Sequence, residues 1–369
     1  MSAPKPTGGK GVEQSTLDTR ASADPQPSPI LGVDAQDPVT TEPMRTRDSQ
    51  PAPHVTQRMP HHYTAYGLSI ASEIECPELI GVAPSARADV TISLAEVPER
   101  IDAPHHVTRR VQIGAGVFQF EPRRRARYRV VGGHSILVHP LPGASPEEIR
   151  LFLLGTAFGI LLHQRGLLPL HASAIKRGRG AIAFCGPSGA GKSTLAAALH
   201  RHGYDLLCDD IGVVVPDPVG PPLFYPGFPR VKLWRDALKH FDLDPHGLAR
   251  DWVRAEKYHL HLTDSFHRRP LPLQQIHFLE RSRSGEPASV VPLEGVRGIP
   301  LLVANTYRAG QVRRMGDFHA HFQRCAQIAE SVSLYRYARP WALDRLGESV
   351  DLLIGASSPE GQCGGVAQG

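Results

Sequence analysis

The sequence predicts an α/β fold: a P-loop core, preceded by a small β-rich subdomain and a disordered N-terminal tail. Three observations predict it. The apolar run "AIAFC" (181–185), the glycine-rich turn "GPSGAGKS" (186–193) and the Ala- and Leu-rich run "STLAAALHRHG" (193–203) lead into a second apolar run, "YDLLCDDIGVVV" (204–215). Strand, turn, helix, strand is the α/β alternation. Upstream, "ADVTISL" (88–94), "GVFQFEP" (116–122), "RYRVVG" (127–132) and "HSILVHP" (134–140) are strand-like runs split by Gly and Pro. Residues 1–60 hold ten of the 34 prolines and no Phe, Trp or Tyr, too little apolar area to offset the chain entropy of folding.

These signals divide the 369 residues into a Pro-rich tail (1–60), a β-rich subdomain (61–144), a P-loop domain (145–356) and a flexible C-terminal tail (357–369). In "SPEEIRLFLLGTAFGILLHQRG" (145–166), Ser145 is an N-cap, Pro146 and two glutamates follow, and Gly166 is a stop. Later strands are expected at "QQIHFLE", "ASVVPL" and "VSLYRYA", and helices at 315–330 and 341–354. The longest apolar run, 151–162, is far short of the roughly 20 residues of a membrane span, and no signal peptide is visible. Net charge is +5 with both signs mixed along the chain, which argues against a nucleic-acid partner. The cysteines, Cys76, Cys185, Cys208, Cys325 and Cys363, are scattered with no CxxC, which suits a reducing cytoplasm rather than a disulfide framework.

"GPSGAGKS" matches G-x-x-x-x-G-K-[ST] at every position, between a strand and a helix. Its nucleotide-binding residues are Gly186, Pro187, Ser188, Gly189, Ala190, Gly191, Lys192, Ser193 and the following Thr194. Backbone N–H groups and the helix N-terminus cradle phosphates, Lys192 reaches the β- and γ-phosphates, and Ser193 offers its hydroxyl to Mg²⁺. ATP with Mg²⁺ is the implied cofactor pair.

Asp209 and Asp210 stand in an otherwise apolar run 17 and 18 residues after Lys192. If their strand neighbours the one before the loop, both carboxylates return beside the γ-phosphate. One can hold Mg²⁺ or its waters and the other can take a proton from an attacking hydroxyl. Adjacent strand residues point to opposite faces, so a pair that only supports the metal is the competing reading. "DDIG" satisfies D-x-x-G, but no N-K-x-D and no "LSGGQ" accompanies it.

"LPLHASAI" (168–175), "GPSGAGKST" and "RHGYDLLCDD" together resemble the catalytic domain of HPr kinase/phosphorylase and the wider group of HPr-kinase-related serine kinases. That resemblance implies an HPr kinase-like core and active-site roles for His171, Lys192 and Asp210, with Asp210 as proton acceptor and Ser193 on the metal; the reading of the carboxylate pair adds Asp209 as a catalytic and metal-binding residue. The resemblance is close over 168–216; beyond it, "YPGFPRVKLW" (225–234) is similar to the HPr-kinase-related branch. Two departures stand out. The E-[VI]-R-G-x-G-I stretch that supplies a second metal-binding glutamate is replaced by "PGFPRVKLW", and Ala172 follows the histidine where glycine is usual. Kinase activity without efficient pyrophosphate-forming dephosphorylation is therefore expected. Arg230 and Lys232, on one strand face, could steady phosphate charge.

The acceptor implied is a serine hydroxyl on a protein or peptide. The alternatives are a small-molecule kinase and a nucleotide-binding regulator without phosphotransfer. No membrane or nucleic-acid partner is expected, a cytoplasmic location is, and a homo-oligomer is allowed. The five arginines of "PRRRARYRV" (122–130) are a solvated edge strand or a dock for an acidic peptide. The pairs His259/His261 and His319/His321 lack the three or four ligands of a zinc site and suit a solvated face. Arg268 and Arg269 suit a surface pair.

Overall fold

Alternation builds the first sheet. Ala126–Val131 buries every second side chain and Ser135–Pro140 buries Ile136 and Val138, and they pair as an antiparallel hairpin. The computed structural model describes residues 59–251, 254 and 256–355. The tail expected over 1–60 lies outside the described residues but for its last two positions, and the one over 357–369 lies wholly outside them.

The hairpin sits inside a nine-stranded sheet that runs from Ile80–Gly81 at one edge to His106–Val107 at the other. Ala126–Val131 is paired on both sides, so the arginine-rich run is not an edge strand. Nor is it an open cationic dock. Arg127 binds Glu121, Arg129 donates to the Gln119 side chain, and Arg125 pairs with Glu148, leaving Arg123 and Arg124 in the exposed turn. The helix after this sheet starts at Pro146 with a full capping box between Ser145 and Glu148. It is interrupted by a π-helical segment, Leu153–Ala157, before continuing as Phe158–Gln164. Its buried side chains share one core with the first sheet and with Ile211, Val213, Phe228 and Tyr307.

The second sheet is mixed. Gly180–Cys185, Leu271–Arg281 and Ser333–Arg339 run parallel, and Ala172–Arg177 joins antiparallel to Gly180–Cys185. Both faces are covered, which explains the unbroken apolar runs. Ile182 and Phe184 pack with the helices Lys192–Arg201 and Leu346–Gly355 on one face. Ala181, Ala183 and Cys185 pack with Gly295–Ala304 and Phe318–Ser331 on the other. A small third sheet pairs Arg230–Trp234 with Lys257–His261. The described residues form a mixed α/β arrangement of several sheets within one compact unit. Among the described residues no helix is long and apolar enough to cross a membrane.

One strand expectation is corrected. Leu206–Cys208, which carries the aspartates at its end, does not neighbour Gly180–Cys185; Ala172–Arg177 lies between them and pairs with both. The connecting helix Lys192–Arg201 packs over that middle strand, so the chain still returns to the helix's starting end.

Candidate active site

The glycine-rich turn joins the end of Gly180–Cys185 to the start of Lys192–Arg201. Gly191 is the helix N-cap at φ 79, so no side chain covers the first-turn N–H groups, which point outward with the positive end of the helix dipole. A Cβ at Gly191 would overlap the Arg339 guanidinium. Lys192 is buried, and its ammonium donates to the carbonyls of Gly186 (2.8 Å) and Pro187 (3.2 Å). Burial lowers its pKa, partly offset by Cys185, Asp209 and Asp210.

Asp209 is buried and fully engaged. Its Oδ1 accepts from the hydroxyls of Ser173 (2.5 Å) and Ser193 (2.8 Å), and its Oδ2 accepts from the Lys232 backbone N–H (2.9 Å). The strand ends at Cys208, and Asp210 takes φ 81, a conformation that costs a non-glycine residue about 1–3 kcal/mol. The strand geometry that would part the two carboxylates therefore stops before them. Lys232 binds both: its backbone to Asp209, its ammonium to the Asp210 Oδ2 at 2.8 Å. His171 Nδ1 lies 3.0 Å from the Asp210 carbonyl and 3.4 Å from its Oδ1. Burial alone would raise the Asp210 pKa, but the Lys232 ammonium and His171 outweigh it and hold the carboxyl well below its usual range.

These groups line one cleft of about 660 Å³. His171, Lys192, Ser193, Thr194, Asp209 and Asp210 come together there with Gly186, Pro187, Ser188, Gly189 and Gly191. Ala190 does not line it: its side chain is in the core and its N–H bonds to Pro187 O (3.1 Å). Arg230 is also elsewhere, because its guanidinium is drawn over the Phe228 ring and toward Glu78. Arg268 and Arg269 are exposed and outside the cleft. His259 and His321 are buried, not solvated: His259 faces Asp251 at 3.7 Å, and His321 bonds Thr306. Among the described residues no group of three or more His, Cys, Asp or Glu is arranged to hold a metal by itself.

Several residues of the site escaped the sequence. Ser173, fully buried behind Asp209, lies two positions past His171, an i, i+2 spacing that could have flagged a shared face. Lys257, Arg254, Arg308 and Arg339 arrive from distant segments with no local signal. With Lys192 and Lys232 they make six cations against three aspartates, Asp209, Asp210 and Asp251, a formal excess of three positive charges. Burial lowers the Lys257 pKa, while Asp209 raises it. Tyr307 forms a wall: its ring centroid is 6.1 Å from that of His171, and His163 bonds its carbonyl at 2.7 Å. Arg308, next to it, sits at φ 57 and donates to Thr156 in the π-helical segment.

No family model matches the chain, and no curated protein matches it. Among solved structures, the Hpr(Ser) kinase/phosphatase from Coxiella burnetii matches at 12% identity with a TM-score of 0.29, covering 52% of this chain and 99% of that one. A likeness this low carries no argument.

Proposed function

We propose that the cleft binds a nucleoside triphosphate, ATP, with Mg²⁺, and that the chain is a kinase passing the γ-phosphoryl group to a hydroxyl, with a serine of a protein or peptide as acceptor. The observation that carries this reading is the placement of two differently wired carboxylates beside a phosphate-cradling loop. Asp209 bonds the loop serine; Asp210 is partly exposed to the cleft, between His171 and Lys232. Two hard oxygens, Asp209 Oδ1 and Ser193 Oγ, 2.8 Å apart, suit Mg²⁺, which takes one or two protein ligands and keeps waters and phosphate oxygens. When bound, the ion would neutralise phosphate charge.

The chain's own residues divide the remaining tasks. Lys192 exchanges loop carbonyls for phosphate oxygens, and the cationic excess of the cleft opposes the triphosphate's charge. Asp210, ionised at neutral pH, orients the acceptor hydroxyl and takes its proton as the oxygen–phosphorus bond forms and the diphosphate leaves. A depressed pKa makes it a weak base. That suffices where the transition state is loose and the proton moves late. His171 holds Asp210 through its carbonyl and carboxylate. The sequence resemblance over 168–216 supports the same assignment.

The Lys232–Asp210 ion pair favours a second reading, in which Asp210 is only charge support and the chain is a nucleotide-gated regulator. Calorimetry with MgADP and a non-hydrolysable MgATP analogue tests the shared premise. The wild-type chain should bind both, and Lys192→Ala should lose at least about tenfold in affinity, on the order of one charge-assisted hydrogen bond. No binding to the wild-type chain at millimolar nucleotide would overturn both readings.

A further inference from the structure

Two tryptophans keep exposed ring surface where they line the cleft: Trp234 at 43% and Trp341 at 39%. Aromatic surface left open in a charged concavity marks a place where a flat apolar ligand group belongs. The two differ in what already covers them. Trp234 has two cations over its ring, Arg254 and Lys257, each 6.0 Å from the centroid. Trp341 has one, Arg281 at 6.0 Å.

Trp341 is also tied to the phosphate-cradling loop. Arg339, two residues before it, is 4% exposed and donates to the carbonyls of Ala190 (3.3 Å) and Gly191 (3.5 Å). The segment after it, Ala342 and Leu343, also lines the cleft. An indole ring, with Arg281 over it, and two aliphatic side chains thus form an apolar stretch of wall just past a strand end anchored to the loop, while the carboxylates and Lys232 gather by Ser193.

We infer that Trp341 is the stacking platform for the nucleobase, with Ala342 and Leu343 as the apolar floor beside it. This rests on the nucleotide reading above and adds the base subsite to it. Stacking of a base on an aromatic side chain changes affinity by roughly 5- to 150-fold on removal of the ring.

The test separates base from phosphates. Isothermal calorimetry is run with MgADP and with inorganic tripolyphosphate plus Mg²⁺ on the wild-type chain, on Trp341→Leu, which keeps apolar bulk, and on Trp341→Phe, which keeps a ring. The expected result is a loss of roughly 5- to 150-fold for MgADP in Trp341→Leu, unchanged tripolyphosphate affinity in all three, and partial retention in Trp341→Phe. A second readout does not depend on any variant folding: MgADP should quench the indole fluorescence of the wild-type chain, and tripolyphosphate should not. Unchanged MgADP affinity in Trp341→Leu, or equal quenching by the two ligands, overturns the platform while leaving the phosphate cradle standing. If the wild-type chain binds neither ligand, the nucleotide reading falls and the platform with it.

Discussion

Asp210 gains its position from a backbone angle that its side chain does not favour. Asn tolerates the left-handed region as well as Asp does, so Asp210→Asn keeps the turn and removes the proposed base. Phosphotransfer should fall by about 10²–10⁴, while MgADP affinity by calorimetry stays within a few-fold of wild type. The pH profile follows from the depressed pKa. An acid whose folded pKa lies below its unfolded value of about 3.9 stays ionised down to that range, so its stabilising ion pair is present above it and lost as pH falls through the folded pKa. The acid limb of the rate profile should thus lie below about pH 4 in Asp210's case, and an inflection near neutrality would assign the limb elsewhere. Asp209 has a different vulnerability. Ser173→Ala removes a 2.5 Å donor to its buried oxygen, a bond to a charged group worth about 1.5–3 kcal/mol. The melting temperature should drop, and the Mg²⁺ concentration for half-maximal activity should rise. The loop, His171 and both aspartates were legible because each is carried by a local motif. Lys257 and Arg339 were not, because nothing within a few residues of either announces the cleft that tertiary packing brings to it.

Among elements, the hardest to foresee was Gly295–Ala304, a helix containing Gly298 and Pro300. Each disfavours a helix interior, and packing decides the matter: Leu302 is fully buried against the second sheet, and Gly298 lies where any Cβ would overlap Leu334. The capped helix at Pro146 was legible from Ser145, Pro146 and Glu148, whereas its π-helical segment was not, because a widened turn leaves little trace in apolar spacing. Strand order was equally hidden. Sequence proximity suggested that the aspartate strand neighbours the loop strand, but Ala172–Arg177 comes between. The turn into Lys192–Arg201 gives a test at this scale. Gly191→Ala places a Cβ at φ 79, costing about 1–2 kcal/mol, and forces Arg339 from the loop carbonyls. Both the melting temperature and MgADP affinity should fall; a variant with wild-type affinity would show that the loop tolerates a displaced Arg339.

At the scale of the whole molecule, His163, His277 and His321, among the buried histidines of the described residues, couple packing to pH. Burial pushes His163, His277 and His321 down to about 4, aided by Arg324 near His163 and His321 and by Arg177 near His277. The unfolded chain titrates near 6.5 and takes up protons that these imidazoles refuse, so their contribution is present above about pH 6.5 and is lost as pH falls toward 4. Each should cost about 2 kcal/mol of stability between pH 7.5 and pH 5. Urea unfolding at the two pH values measures this, and His277→Gln should flatten the dependence by one histidine's share. Because His163 and His321 bond the Tyr307 carbonyl and the Thr306 hydroxyl, the cleft wall should loosen over the same range.

The most direct measurement of the kinase reading follows the label from γ-³²P-ATP with Mg²⁺ and a serine-containing peptide pool, comparing the wild-type chain with Asp210→Asn. The account predicts acid-stable, base-labile label on serine with the wild-type chain and a loss of about 10²–10⁴ in the variant. Label released only as inorganic phosphate, at the same rate in both, would contradict it and leave Asp210 as charge support in a nucleotide-binding regulator.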